Sequence, residues 1–169
     1  MVPAAVADLT RIRQRHISLM EQTLQTLGHV LRSVPQTTAT TVRDAHDGPK
    51  GWTVLEVLCH LRDYDGIFRQ RAELMVAEDY PHLPGYDHEA LARERDYNRQ
   101  DLRQVWAGLT QSRQATIQLF RGLTDAQWER AGIHPERGHF TLTDAVVQVG
   151  THDCIHLEQI TRILFDNQA

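Results

Sequence analysis

"GWTVLEVLCHLRDYD", residues 51–65, contains a helix start that decides how the rest of the chain is read. Thr53 is a good N-cap residue, and Glu56 three positions later completes a capping box. Each side chain satisfies a backbone N–H that the first turn leaves unpaired. Beyond the cap, Val54, Leu58, Leu61, Phe68, Ala72 and Met75 recur at helical spacing and form one face to about Ala77. A pattern of this length and period predicts a long amphipathic helix.

Three further stretches share that period, and none alternates as a strand. The first runs from about Ala5 to Arg32, with Leu9, Ile12, Leu19, Leu24, Leu27, Val30 and Leu31 as its stripe, and "SVP" at 33–35 stops it. The third runs from about Arg99 to Arg121 on Leu102, Val105, Trp106, Leu109, Leu119 and Phe120. A short piece, "EALARERDY", leads into it. The fourth starts at Thr141, with Asp144 near its positive end, and reaches about Phe165. "AGIHPERGHF" at 131–140 reads as a loop from its glycine and proline. Four helices of roughly 23 to 28 residues, about 35 to 42 Å each, predict an all-α four-helix bundle. Its connections are long, so at least one crossover is expected.

The 169 residues fit one domain spanning 1–169. A net charge of −4 with dispersed basic residues excludes a nucleic-acid footprint. No apolar run approaches the roughly 20 residues that span a bilayer. "MVPAAVADLTRIRQRH" lacks the pattern of a signal peptide because Asp8 and Arg11 interrupt it, so a cytoplasmic protein is expected. Cys59 and Cys154 form no disulfide framework. Each is read as a small buried hydrophobe without a basic neighbour to activate it.

Chemistry enters at "THDCIHLEQI", residues 151–160. The fourth helix's stripe is Leu142, Ala145, Val146, Val149, Ile160, Ile163 and Leu164. Continued through its gap, it places His152 and His156 where Leu or Val would be expected. Their i, i+4 spacing stacks both rings on one face, suited to a single ion. A third ligand has to come from another helix. His60 borders the second helix's apolar face and His16 lies between Ile12 and Leu19, and periodicity leaves both open. His29, His46, His82, His88, His134 and His139 fall on polar faces or in loops and read as surface residues.

"GWTVLEVLCHLRDYD" followed far downstream by "THDCIHLEQI" resembles the DinB-like superfamily, which includes thiol-dependent transferases related to bacillithiol S-transferase and maleylpyruvate isomerase. "ERDYN", "LTDAQWERAGIHPERGHFTL" and the final "HLEQI" extend the likeness over nearly the whole chain. The resemblance implies a four-helix bundle of unusual connectivity. It also implies a divalent metal, zinc or nickel, on His60, His152 and His156. Activation of a low-molecular-weight thiol for addition to an electrophile is the activity implied, with hydrolysis as a related one, and a homodimer is expected. The alternative is a stress-associated bundle without enzymatic activity, whose metal supports the fold or a partner surface. Asp153, and less well Glu158, are the candidates to hold a ligand's second ring N–H. Tyr64, one turn after His60, is expected to line the cavity.

Overall fold

The computed structural model describes residues 4–166, so both ends of the 1–169 domain lie outside it. Four long helices dominate: α1 (Ala4–Leu31), α3 (Val54–Ala77), α5 (Leu102–Gly122) and α7 (Leu142–Asp166). Between them lie α2 (Gln36–Thr41), α4 (His88–Glu94) and α6 (Asp125–Trp128). Among the described residues no helix is long and apolar enough to cross a membrane.

The capping box at the start of α3 forms as its sequence requires. Thr53 Oγ1 accepts from the Glu56 N–H at 3.2 Å, and Glu56 Oε2 accepts from the Thr53 N–H at 2.8 Å. Thr53 is fully buried and its hydroxyl also donates to Asn98 Oδ1 at 2.7 Å. Thr53→Ala is therefore expected to lower stability by about 1–2 kcal/mol. Urea denaturation measures this, and an unchanged midpoint would show that the cap contributes nothing.

Around the bundle, α1 packs on α7 and α5, and α3 packs on α5 and α7. Contacts along the helices give their directions. Arg13 meets Thr143 and Thr23 meets Asp153, so α1 and α7 run the same way. Gly28 meets Trp106 and Glu21 meets Arg121, so α5 runs against α1. His60 meets His156 and Phe68 meets His152, so α3 runs against α7. The segments joining α1 to α3 and α5 to α7 thus link helices that are not neighbours, as long connections permit.

The 131–140 segment is not a plain loop. Ala131–His134 and Gly138–Thr141 form an antiparallel hairpin, β1 and β2, pairing Ala131 with Thr141 and His134 with Gly138. Pro81 and Leu83 add backbone bonds to Ile133, which ties the α3–α4 connection to the hairpin. Four-residue strands are too short for alternation to show in sequence.

The interior consists of two apolar clusters. One gathers Leu27, Leu58, Leu109 and Ile160, and the other Met20, Phe68, Phe120 and Val149. At the level between them each long helix contributes a polar residue: Thr23, Asp65, Arg113 and Asp153, all buried. Arg113 donates to Asp65 Oδ1 at 2.5 Å and to Asp153 Oδ2. Thr23 donates to Asp153 at 3.1 Å and Thr116 to Asp65 at 2.9 Å. Leu9 and Ile12, expected on the stripe of α1, are instead exposed near its N-terminal end.

Candidate metal centre

His152 and His156 lie one turn apart on α7, which Thr141 and Asp144 cap reciprocally. His60 projects from α3, about two turns beyond the Thr53 cap. One ring nitrogen from each of the three comes within 4.8 Å of the others. The ring centroids lie 5.0 Å (60–152), 4.7 Å (60–156) and 4.4 Å (152–156) apart. His60 Nε2 and His152 Nε2 face each other at 3.0 Å. Nitrogens sharing a tetrahedral zinc at about 2.0–2.1 Å sit about 3.3 Å apart, so this spacing suits a common ion. The donor set fits as well, since imidazole nitrogens bind zinc and nickel alike.

All three imidazoles are held neutral, the form that binds a metal. Burial, followed by the neighbouring His156, lowers His60 to about 3. Burial with His156 and His60 lowers His152 to about 2. His156 is lowered too, chiefly by burial, while its bond to Gln159 opposes the shift.

Apart from the Nε2 contact with His152, packing holds His60. Tyr64 lies against its ring at 4.3 Å and Trp52 meets it edge-on at 5.3 Å, while its buried Nδ1 has no protein partner. His156 is held differently, with Nδ1 2.8 Å from Gln159 Oε1. An open cleft of about 500 Å³ reaches His60 and His156, walled by Trp52, Tyr64 and His88.

The structure brings together the three histidines expected from sequence, and His16 is not among them. It is half-buried on α1 against Gly150, where an added Cβ would come within 2.9 Å of its Nδ1. Asp153 does not support a ligand, because its carboxylate turns toward α5 and α1, where Arg113 and Thr23 engage it. Glu158 is exposed and accepts from Arg162 at 3.1 Å. Gln159 takes the part expected of them, and its i, i+3 spacing from His156 was a readable signal.

One of the six histidines read as surface residues, His134, is instead in the interior, and another, His88, is exposed as expected but stands beside the site. His134 is buried with Nε2 3.0 Å from Arg71 Nη1. His88 is solvent-exposed, yet its ring stands 6.1 Å from His60 at the cleft wall. Cys59 is buried and inert, its thiol pushed up to about 12 chiefly by burial. Cys154 is exposed, contrary to expectation, and its thiol is also raised, so no reactive thiolate results.

Fold and site together define a four-helix bundle of non-sequential packing with a three-histidine cluster opening to a cleft. The chain belongs to the DinB superfamily, whose sequence profile matches residues 14–160. It is 31% identical over 114 residues to "Putative metal-dependent hydrolase YfiT" of Bacillus subtilis, covering 67% of this chain and 64% of that protein. Against the similarly named OB0782 of Oceanobacillus iheyensis it is 29% identical over 67% of this chain and 65% of the relative. The match thus spans just under two thirds of the length of either relative. The crystallographic description of YfiT is "a probable metal-dependent hydrolase with an unusual four-helix bundle topology". It superposes with a TM-score of 0.80 at 26% identity, covering 89% of this chain and 85% of YfiT. A mycothiol-dependent maleylpyruvate isomerase shares the fold, with a TM-score of 0.72 at 12% identity over 88% of this chain and 60% of the isomerase.

Proposed function

We propose that the protein is a divalent-metal-dependent enzyme whose ion is held by His60, His152 and His156. The observation that carries the reading is the convergence of three neutral imidazoles beside an open cleft. When bound, the ion supplies a Lewis acid that lowers the pKa of water or a thiol at the position three ligands leave free. Water would serve the hydrolysis named for the YfiT relatives, and a low-molecular-weight thiol would serve transfer to an electrophile. Trp52 and Tyr64 give a bound molecule apolar walls, and their burial of His60 keeps that ligand neutral. Zinc or nickel, a homodimeric state and a cytoplasmic location belong to the same proposal.

A purely structural ion would be enclosed by a fourth protein ligand. Among the described residues no fourth His, Cys, Asp or Glu joins the cluster. The test is metal analysis of untagged protein, with turnover of ester or amide substrates and of small thiols paired with electrophiles. About one divalent ion per chain is expected, lost together with turnover in His152→Ala and His156→Ala. Metal content and turnover unchanged by both substitutions would end the proposal.

A further inference from the structure

Asp44 lies in the segment between α2 and α3 and is completely buried. Its carboxylate accepts from three donors: Arg162 Nη1 and the His46 N–H at Oδ1, and Gln159 Nε2 at Oδ2, 3.0 Å away. Gln159 in turn places Oε1 2.8 Å from His156 Nδ1. The polarity of this chain follows from its first member. Arg162 has only donors and an ionised carboxylate only acceptors, so Gln159 must turn its NH₂ toward Asp44 and its oxygen toward His156. A carbonyl oxygen accepts, so His156 Nδ1 must carry the proton.

We propose that Asp44, acting through the Gln159 amide, fixes His156 as the Nδ1–H tautomer and thereby presents its Nε2 lone pair to the ion. Asp44 and Gln159 are positioning residues: Asp44 acts only through Gln159, and Gln159, although it borders the cleft, spends its amide oxygen on His156 Nδ1. Burial pushes the Asp44 carboxyl up, but bonds from Gln159, His46 and Arg162 outweigh it and hold it below its usual range, hence acceptor-only. Asp44 also anchors the cleft wall, because its N–H donates to the Trp52 carbonyl at 3.0 Å. A Cβ on Gly51 would fall 2.1 Å from the Asp44 carbonyl oxygen, so position 51 has no room for a side chain where the two segments pass each other.

The step from tautomer to ion rests on the metal reading above, whereas the tautomer itself does not. The experiment is nitrogen-15 NMR of the histidine rings in the full chain, treated with chelator, followed by titration with Zn²⁺ alone. Wild type is expected to show His156 protonated at Nδ1. Asp44→Asn reverses the Gln159 amide, because its own NH₂ would face the amide donors, and moves the His156 proton to Nε2. Gln159→Leu, on the half-buried side of α7, leaves His156 without a fixed tautomer. Zn²⁺ affinity is expected to fall 10- to 100-fold in both variants. An Nε2–H tautomer in wild type, or an unchanged tautomer in a folded Asp44→Asn, overturns the assignment. If Asp44→Asn does not fold, the wild-type and Gln159→Leu spectra decide. Tautomers that behave as stated with no Zn²⁺ bound would sink the metal reading and leave the positioning intact. Equal Zn²⁺ binding by all three proteins would do the reverse.

Discussion

Replacing Arg113 with methionine is expected to lower the unfolding free energy by about 3–5 kcal/mol, the usual result of stripping one partner from a buried ion group. Arg113 is 2% exposed and is the cation of the central layer. Without it, the Asp65 and Asp153 carboxylates face each other in an apolar interior, with only hydroxyls from Ser112, Thr116 and Thr23 left to donate. Burial already raises the Asp153 carboxyl, with Arg113 opposing, so the variant has to protonate at least one of the pair. Adding Asp65→Asn and Asp153→Asn to Arg113→Met is expected to recover most of the loss, because the penalty belongs to the unpaired charges. Urea unfolding of chelator-treated protein measures both. A loss below about 1 kcal/mol for Arg113→Met would mean that the layer is well hydrated, contrary to its burial.

That layer also marks where sequence reading stopped short. The long helices were legible because their stripes repeat over many turns, and the α3 start because both halves of a capping box lie within four residues. The stripes, however, break at the same level of the bundle: between Leu61 and Phe68, between Leu109 and Ile117, and between Val149 and Ile160. The break on α7 stands out in the sequence because histidines fill it. Those on α3 and α5 hold Asp65 and Arg113, which look like ordinary solvated charges until the third dimension pairs them. His60, His152 and His156 were readable because two share a helix and the third follows a recognisable opening. His88 was not, since α4 is a seven-residue helix whose placement over the cleft depends on long-range packing. Asp44 lies 115 positions from its partner Gln159, and no local period links them.

Zinc affinity is expected to change far less with pH than in an ordinary histidine site, while the stability of the metal-free fold changes more. The sign follows from proton counts. An unfolded imidazole titrates near 6.5, whereas in the folded protein His60 does so at about 3 and His152 at about 2. Between those values the unfolded chain binds more protons, so stability is complete above pH 6.5 and is lost as pH falls. At pH 5 each ring contributes a loss of about 2 kcal/mol, or about 4 kcal/mol for the pair, relative to pH 8. Urea unfolding at the two pH values measures it, and His60→Phe should remove about 2 kcal/mol of the difference, the rest belonging to His152 and to His16, His134 and His156, which are also lowered. In the folded protein the same two rings are already neutral at pH 5.5, so no proton has to leave either of them when an ion enters. Only His156, lowered to a lesser degree, competes for a proton. Log affinity should therefore rise by no more than about one per pH unit between 5.5 and 6.5, against up to about three for three rings of ordinary pKa. A slope near three by competitive chelator titration would show that the rings are hydrated and titrate freely. The buried, neutral cluster would then be wrong as a description of the metal-free protein.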